Sequence, residues 1–212
     1  MKFASLFLAG LLFLSPALAG AQEVAPDVLV KTVTNEVLEV VRNDKDIQSG
    51  DSRKTIALVE SKVLPHFNFS HMTRLAMARN WSKASAAQQK ALTDEFRTLL
   101  VRTYSKALNE YKTQTIDFRP LKAKPGDTDV KVSTRINQTG SVKPITLDYY
   151  LEKQDTGWKV YDIEVGGISL VINYRDFFTS EIRKGGVDGL IQSLQEKNAS
   201  SEKASSPADS RK

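Results

Sequence analysis

Cysteine is absent from all 212 residues. That excludes disulfides, thiolate metal centres, cysteine nucleophiles and a lipid-modified cysteine, so the core alone must hold the fold. Histidine is nearly absent, with only His66 and His71. They are five positions apart, and Pro65 puts the first outside any helix, which argues against a two-histidine metal motif. There is no phosphate-cradling glycine loop, since Gly166-Gly167 and Gly185-Gly186 are isolated doublets. Gly167-Ile168-Ser169 begins a nucleophile elbow, but Val171 stands where the closing glycine is required, so Ser169 reads as a helix cap. Charge of one sign is nowhere concentrated. Lys and Arg total 30 against 25 Asp and Glu, a net charge of +5, spread without the basic stripe that nucleic acid would need.

A long apolar run occurs once, at the start. A basic Lys2, an apolar stretch from Phe3 to Leu14, Ser15-Pro16 and small residues at A-x-A spacing make an expected secretory signal peptide over residues 1–21. Both Ala17-Leu18-Ala19 and Ala19-Gly20-Ala21 fit a cleavage site, and the second leaves Gln22 as the mature terminus. The run falls short of the about 20 apolar residues of a membrane span. One exported domain is expected over 22–197. Residues 198–212, with ASSEKASSPADSRK and no large apolar side chain, are expected to be a disordered tail.

Between these ends the apolar period changes once. Val30, Val33, Val37 and Val40/Val41 recur at helical spacing from Asp27 to Arg42, behind Pro26. Asp51 should cap a second helix that stops before Pro65, and Ser70 a short third one. Ser85 to Gln88 reads as a capping box for the longest helix, running to about Lys112. Its stripe of Leu92, Phe96, Leu99, Leu100, Tyr104, Leu108 and Tyr111 is wider than one packing seam needs. One side of it can pack while the other faces a second layer or a cavity.

The middle reads as strands. Ile116 and Phe118 precede Pro120; Val130, Val132, Thr134 and Ile136 alternate with polar residues, as do Ile145, Leu147, Tyr149 and Leu151. Trp158 to Val165 supplies a fourth strand, and turn residues at Gly126, Gly140 and Gly157 join them into an antiparallel meander. Asp162 and Glu164 share one face of that strand, the spacing of an acid/base pair. The same face carries Trp158 and Val160, so either a bulge or a partly covered face is expected there. After Gly166-Gly167 a helix should run from Ser169 to Lys184, ending at Gly185-Gly186, with a last helix through Leu190, Ile191 and Leu194.

The order and spacing of several fragments carry a family resemblance. They are Phe67-x-Phe69-x-x-Met72, Trp81, Ala84-Ser85 to Gln88, Glu95-Phe96, Leu99-Leu100, Thr103-Tyr104 and Trp158-Lys159-Val160-Tyr161-Asp162. Gly167-Ile168-Ser169-Leu170-Val171, Asn173-Tyr174-Arg175, Phe178 and Gly189-Leu190-Ile191 complete the set. Together they make the chain resemble the MlaC-type periplasmic phospholipid-binding proteins, the toluene-tolerance family, over nearly all of the region to Lys197. It departs from the family pattern at Asn68, where aspartate is common, at Met77-Ala78, where Leu-Gly is usual, and at Gly166, where an acid is usual.

The resemblance implies an α+β fold: a four- to five-stranded antiparallel or mixed sheet of NTF2-like character, with helices on one face enclosing an apolar cavity. It implies a non-enzymatic periplasmic carrier that binds no metal or other cofactor. Such a carrier shuttles phospholipid between an outer-membrane lipoprotein complex (MlaA-like) and an inner-membrane ABC transporter with an MCE-domain (MlaD-like) protein, maintaining outer-membrane lipid asymmetry. The expected acyl-chain contacts are Phe96, Leu99, Leu100, Tyr104, Leu108, Leu147, Tyr149, Ile163, Val165, Leu170, Val171, Tyr174 and Phe178, with Arg175 the candidate for the head group. An NTF2-like enzyme using Asp162 and Glu164, or an adaptor or chaperone with an open groove, are the alternatives.

Overall fold

The computed structural model describes residues 24–111, 113–138 and 143–205, so the expected signal peptide lies outside the described residues. Helix α1 spans Pro26–Asn43, with proline in its first turn. Asp44 ends it and caps the one-turn helix α2 (Lys45–Gln48), its side chain accepting from the amides of Asp46 and Ile47. Asp51 does the same for α3 (Ser52–Lys62). A short 3-10 turn at Leu64–His66 leads into α4 (Phe69–Met77). The cap of α4 is Asn68, whose oxygen accepts from the His71 amide, two residues earlier than the Ser70 cap expected. The Ser85–Gln88 capping box is present and starts α5 (Ala86–Tyr104). This helix gives way at Ser105 to the short α6 (Lys106–Asn109), ending sooner than its apolar stripe suggested.

Five antiparallel strands follow in meander order: β1 (Thr115–Phe118), β2 (Asp129–Asn137), β3 (Ile145–Gln154), β4 (Gly157–Val165) and β5 (Ile168–Ser169). Pairings Val132 with Tyr149 and Thr134 with Leu147, then Tyr149 with Ile163 and Leu147 with Val165, align one face. The expected bulge is at Tyr161: Leu151 pairs with Val160 while Tyr150 pairs with Asp162. The extra residue flips the parity of β4, so Trp158 and Val160 share a face with Ile163 and Val165, and Asp162 and Glu164 lie on the other.

Chain between β4 and the last helix differs from expectation. Gly166 and Gly167 adopt φ values of 60° and 86°, the left-handed pair that a two-residue hairpin turn requires, and the chain returns as β5 instead of starting a helix. Ser169 donates to Asp162 and accepts from the Ile172 amide, so it holds a turn and not a helix start. The final helix α7 runs Arg175–Ser205 and breaks its helical backbone at Gly185 and Gly186. Residues 198–205, expected to belong to the tail, are helical. Asn198 is buried, with its side-chain amide on the carbonyl and carboxylate of Glu95.

Buried apolar residues do not merge into one core. One group, around Phe96, Phe178, Leu190 and Leu194, joins α4, α5 and α7. A second, around Val30, Val132, Leu151 and Val160, joins α1 to the sheet. A third, with Val37, Val41, Ile47 and Leu58, sits among α1, α2 and α3. Contiguity is the usual state of a domain core, and the space between these groups is where the molecule is hollow.

Candidate functional site

The hollow is a cavity of about 490 Å³, within the ~300–1,000 Å³ of typical ligand sites. Four walls line it. The sheet contributes Ile145, Leu147, Tyr149, Val160, Ile163 and Val165, with Leu170 just beyond β5. The helix α1 gives Val30, Val33, Thr34 and Val37 at one-turn intervals, a single face of the helix. Leu64, Phe67, Phe69 and Met72 come from the 3-10 turn and α4, and Leu100, Val101, Tyr104 and Leu108 from α5 and α6.

Among the described residues the lining contains no aspartate, glutamate, lysine or arginine. The surroundings of Tyr149, Tyr104 and His66 favour the neutral form of each. Burial pushes the Tyr149 hydroxyl up to about 12, against hydrogen bonds with Thr34 and Thr134 that favour its ionised form. Burial also raises Tyr104 to about 12, aided by its neighbour Tyr174. His66 is lowered by burial and then by Lys159, which favours the uncharged ring. The lining is dominated by aliphatic and aromatic side chains, a surface suited to hydrocarbon.

Expected contact residues divide into two sets. Leu100, Tyr104, Leu108, Leu147, Tyr149, Ile163, Val165 and Leu170 line the cavity. Phe96, Leu99, Val171 and Phe178 are buried in the helical core instead, and Tyr174 packs against the same core. Phe96 stacks edge-on with both Tyr174 and Phe178, at 5.1 and 5.0 Å between ring centres. The wide stripe on α5 explains the split. Its Leu92–Phe96–Leu99 side packs on α4 and α7, and its Leu100–Tyr104 side meets the cavity. The wall formed by α1 went unrecognised, because Val30, Val33 and Val37 at helical spacing read equally as ordinary core.

Arg175 is not among the lining residues. Its Nε donates to the Leu75 carbonyl at 2.8 Å, tying α7 to α4. The acid pair is also elsewhere. Asp162 is 5% exposed, and its carboxylate accepts from Ser169 Oγ (2.6 Å) and the amides of Ile163 (2.8 Å) and Val171 (3.3 Å). Burial raises its pKa in spite of these bonds. Glu164 accepts from the Tyr150 hydroxyl at 2.8 Å. Both face away from the cavity, pinning β5 and bracing the outer sheet face. On that outer face His71 bonds Glu152 at 2.8 Å and stacks on Tyr161 at 4.4 Å. Burial acts to raise Glu152, but bonds from Asn68 and His71 prevail and hold it below the usual carboxylate range. Among the described residues no cluster of metal-ligating side chains occurs, and no helix is long and apolar enough to cross a membrane.

Comparison with known proteins agrees with this architecture. The family model described as MlaC protein matches residues 31–196. The chain is 23% identical over 176 residues to the intermembrane phospholipid transport system binding protein MlaC of Haemophilus influenzae, covering 82% of each. It is 28% identical over 175 residues to the toluene tolerance protein ttg2D of Pseudomonas putida, covering 82% of this chain and 80% of that one. A solved structure of a phospholipid-binding protein from Ralstonia solanacearum, in complex with a phospholipid, superposes with a TM-score of 0.77 at 40% identity, covering 83% of this chain and 98% of that one. With its five-stranded meander, hollow core and a family match across almost all described residues, the chain belongs to the MlaC family.

Proposed function

We propose that this protein is a periplasmic phospholipid carrier, not an enzyme, which takes the acyl chains of a diacyl lipid into the apolar cavity. It passes its cargo between an outer-membrane lipoprotein complex (MlaA-like) and the MCE-domain protein (MlaD-like) of an inner-membrane ABC transporter. It thereby maintains the lipid asymmetry of the outer membrane, and uses no cofactor of its own. The observation that carries the reading is a cavity with four largely apolar walls, lined among the described residues by no carboxylate, lysine or arginine. A relative of similar fold, 40% identical, was solved with phospholipid.

The energetics favour an enclosed site. Burial is worth about 0.8 kcal/mol per methylene, so exposing two chains of ~30 carbons in total would cost on the order of 20 kcal/mol. An open groove, as in the adaptor alternative, would leave much of that cost in place. The enzyme alternative is disfavoured by Asp162 and Glu164, whose carboxylates are engaged on the opposite sheet face.

The test is transfer of a labelled phospholipid from donor to acceptor vesicles by delipidated protein. Transfer should rise with protein concentration, and Leu147→Arg, which places a charge against the lining, should abolish it. Vesicle exchange no faster than without protein would overturn the reading, as would release of free fatty acid.

A further inference from the structure

A second space, a polar cleft of about 580 Å³ open to solvent, adjoins the apolar one. Leu38, Tyr111 and Ile116 line both, so the two spaces meet at those side chains. The polar walls are Asn35, Glu39, Arg42 and Asn43 from α1 and Thr115 from β1. Positions 35, 39 and 42 follow one another at single-turn intervals, as do 30, 33 and 37 on the neighbouring apolar face. One helix therefore offers hydrocarbon walls to the first chamber and charged and amide walls to the second.

Arg42 is the cation of this chamber. Its Nη2 donates to the Tyr111 hydroxyl at 3.0 Å, its guanidinium carbon lies 5.5 Å from that ring's centre, and the hydroxyl donates onward to the Gln114 carbonyl at 2.6 Å. The fork is thus aimed at the tyrosine that separates the chambers. A guanidinium has five donors, and no carboxylate among the described residues forms an ion pair with this one. Glu39, one turn earlier, is not paired with it either. The carbonyls that end α1 would repel an anion, but they are occupied: Val40 accepts from the Asp44 amide, and Val41 and Arg42 from the Gln48 side chain.

We propose that this chamber is the head-group subsite for a zwitterionic diacyl phospholipid: Arg42 binds the phosphodiester oxygens, Glu39 binds the ammonium, and the acyl chains pass Tyr111 into the apolar cavity. The assignment rests on the carrier reading above and adds a preference to it. An arginine and a glutamate one turn apart, neither in an ion pair among the described residues, suit a head group that carries both charges. Against a head group carrying only the phosphate, Glu39 would be repulsive. Both side chains are exposed, so the discrimination is modest, about three- to fivefold per charge, as for surface ion pairs.

The test loads delipidated protein from an equimolar mixture of phosphatidylethanolamine, phosphatidylglycerol and diacylglycerol with identical chains, and reads the bound lipids by mass spectrometry. Wild type should favour the first, then the second, then the third. Arg42→Gln should lower the preference of both phospholipids over diacylglycerol about three- to fivefold. Glu39→Gln should lower the phosphatidylethanolamine to phosphatidylglycerol ratio by a similar factor while both phospholipids stay ahead of diacylglycerol. Tyr111→Phe, which loses the hydroxyl contact but keeps Arg42, should retain the wild-type order, and so separates charge from packing.

Uptake in proportion to supply by wild type, or wild-type ratios in Arg42→Gln, would overturn the subsite while leaving the carrier reading in place. Uptake of none of the three lipids would sink the carrier reading and this inference together. Calorimetry with inorganic phosphate supplies the last arm, with no binding expected. Binding that Arg42→Gln abolishes without changing the lipid ratios would make the chamber a free-anion site and refute the head-group assignment.

Discussion

Ala78 is the one described residue other than glycine with a positive φ, at 49° with ψ at −128°. It ends α4, its amide still bonded to the Arg74 carbonyl. This combination belongs to the first central position of a type II′ turn, which glycine occupies at no steric cost. Holding an alanine there costs about 1–3 kcal/mol. Replacing it with glycine relieves that strain but makes the unfolded chain more flexible, a loss of about 0.4–1 kcal/mol. The methyl group is exposed, so little packing is forfeited. Ala78→Gly should therefore stabilise the protein by about 1 kcal/mol, or raise Tm by ~2–4 °C for a domain of this size. Differential scanning calorimetry measures it, and lipid loading should stay unchanged because Ala78 is not a lining residue. An unchanged or lowered Tm would refute the strain argument.

Asp162→Ala should cost about 2–3 kcal/mol, since it strands the amide of fully buried Val171 and the Ser169 hydroxyl. Asp162→Asn, which keeps an acceptor, should cost less than 1 kcal/mol and leave lipid occupancy intact. Because burial raises the folded pKa above the unfolded 3.8, wild type loses stability as pH rises from about that value through the folded pKa. That loss should vanish in Asp162→Asn, and denaturant titrations across the acid range check both points. Asn68→Asp would keep the α4 cap but set a second carboxylate against Glu152 in place of an amide donor. A loss of about 1–2 kcal/mol is expected, growing with pH, and a stabilising effect would contradict the geometry. Ending the chain after Lys197 removes Asn198 and the contacts of Arg102 with the Asn198 carbonyl and Glu202. Its Tm should fall by ~4–8 °C, and an unchanged Tm would show that this end of α7 adds nothing.

What the sequence made legible was periodic and local. Alternation in Val130 to Ile136 and Ile145 to Leu151 gave the strands, and Ser85 with Gln88 gave the start of α5. The misplaced parity of Trp158 and Val160 left a bulge or a partly covered face open, and the register shift opposite Tyr161 decides for the bulge. What escaped depended on contacts distant in the chain. Asn198 looks like the start of a polar tail until Glu95 and Arg102 are seen beside it. Arg175 looks free until the Leu75 carbonyl meets it. Whether an apolar side chain touches a neighbour or a void has no signature in its own spacing. Phe96 and Leu100 lie on one stripe of one helix, yet only Leu100 reaches the cavity.

The cavity is the central claim, and native mass spectrometry of the freshly purified protein tests it most directly. The account predicts a complex heavier than the apoprotein by the mass of a diacyl phospholipid, released as intact lipid on activation. A spectrum of apoprotein alone, from protein that still fails to load when offered phospholipid vesicles, would contradict it.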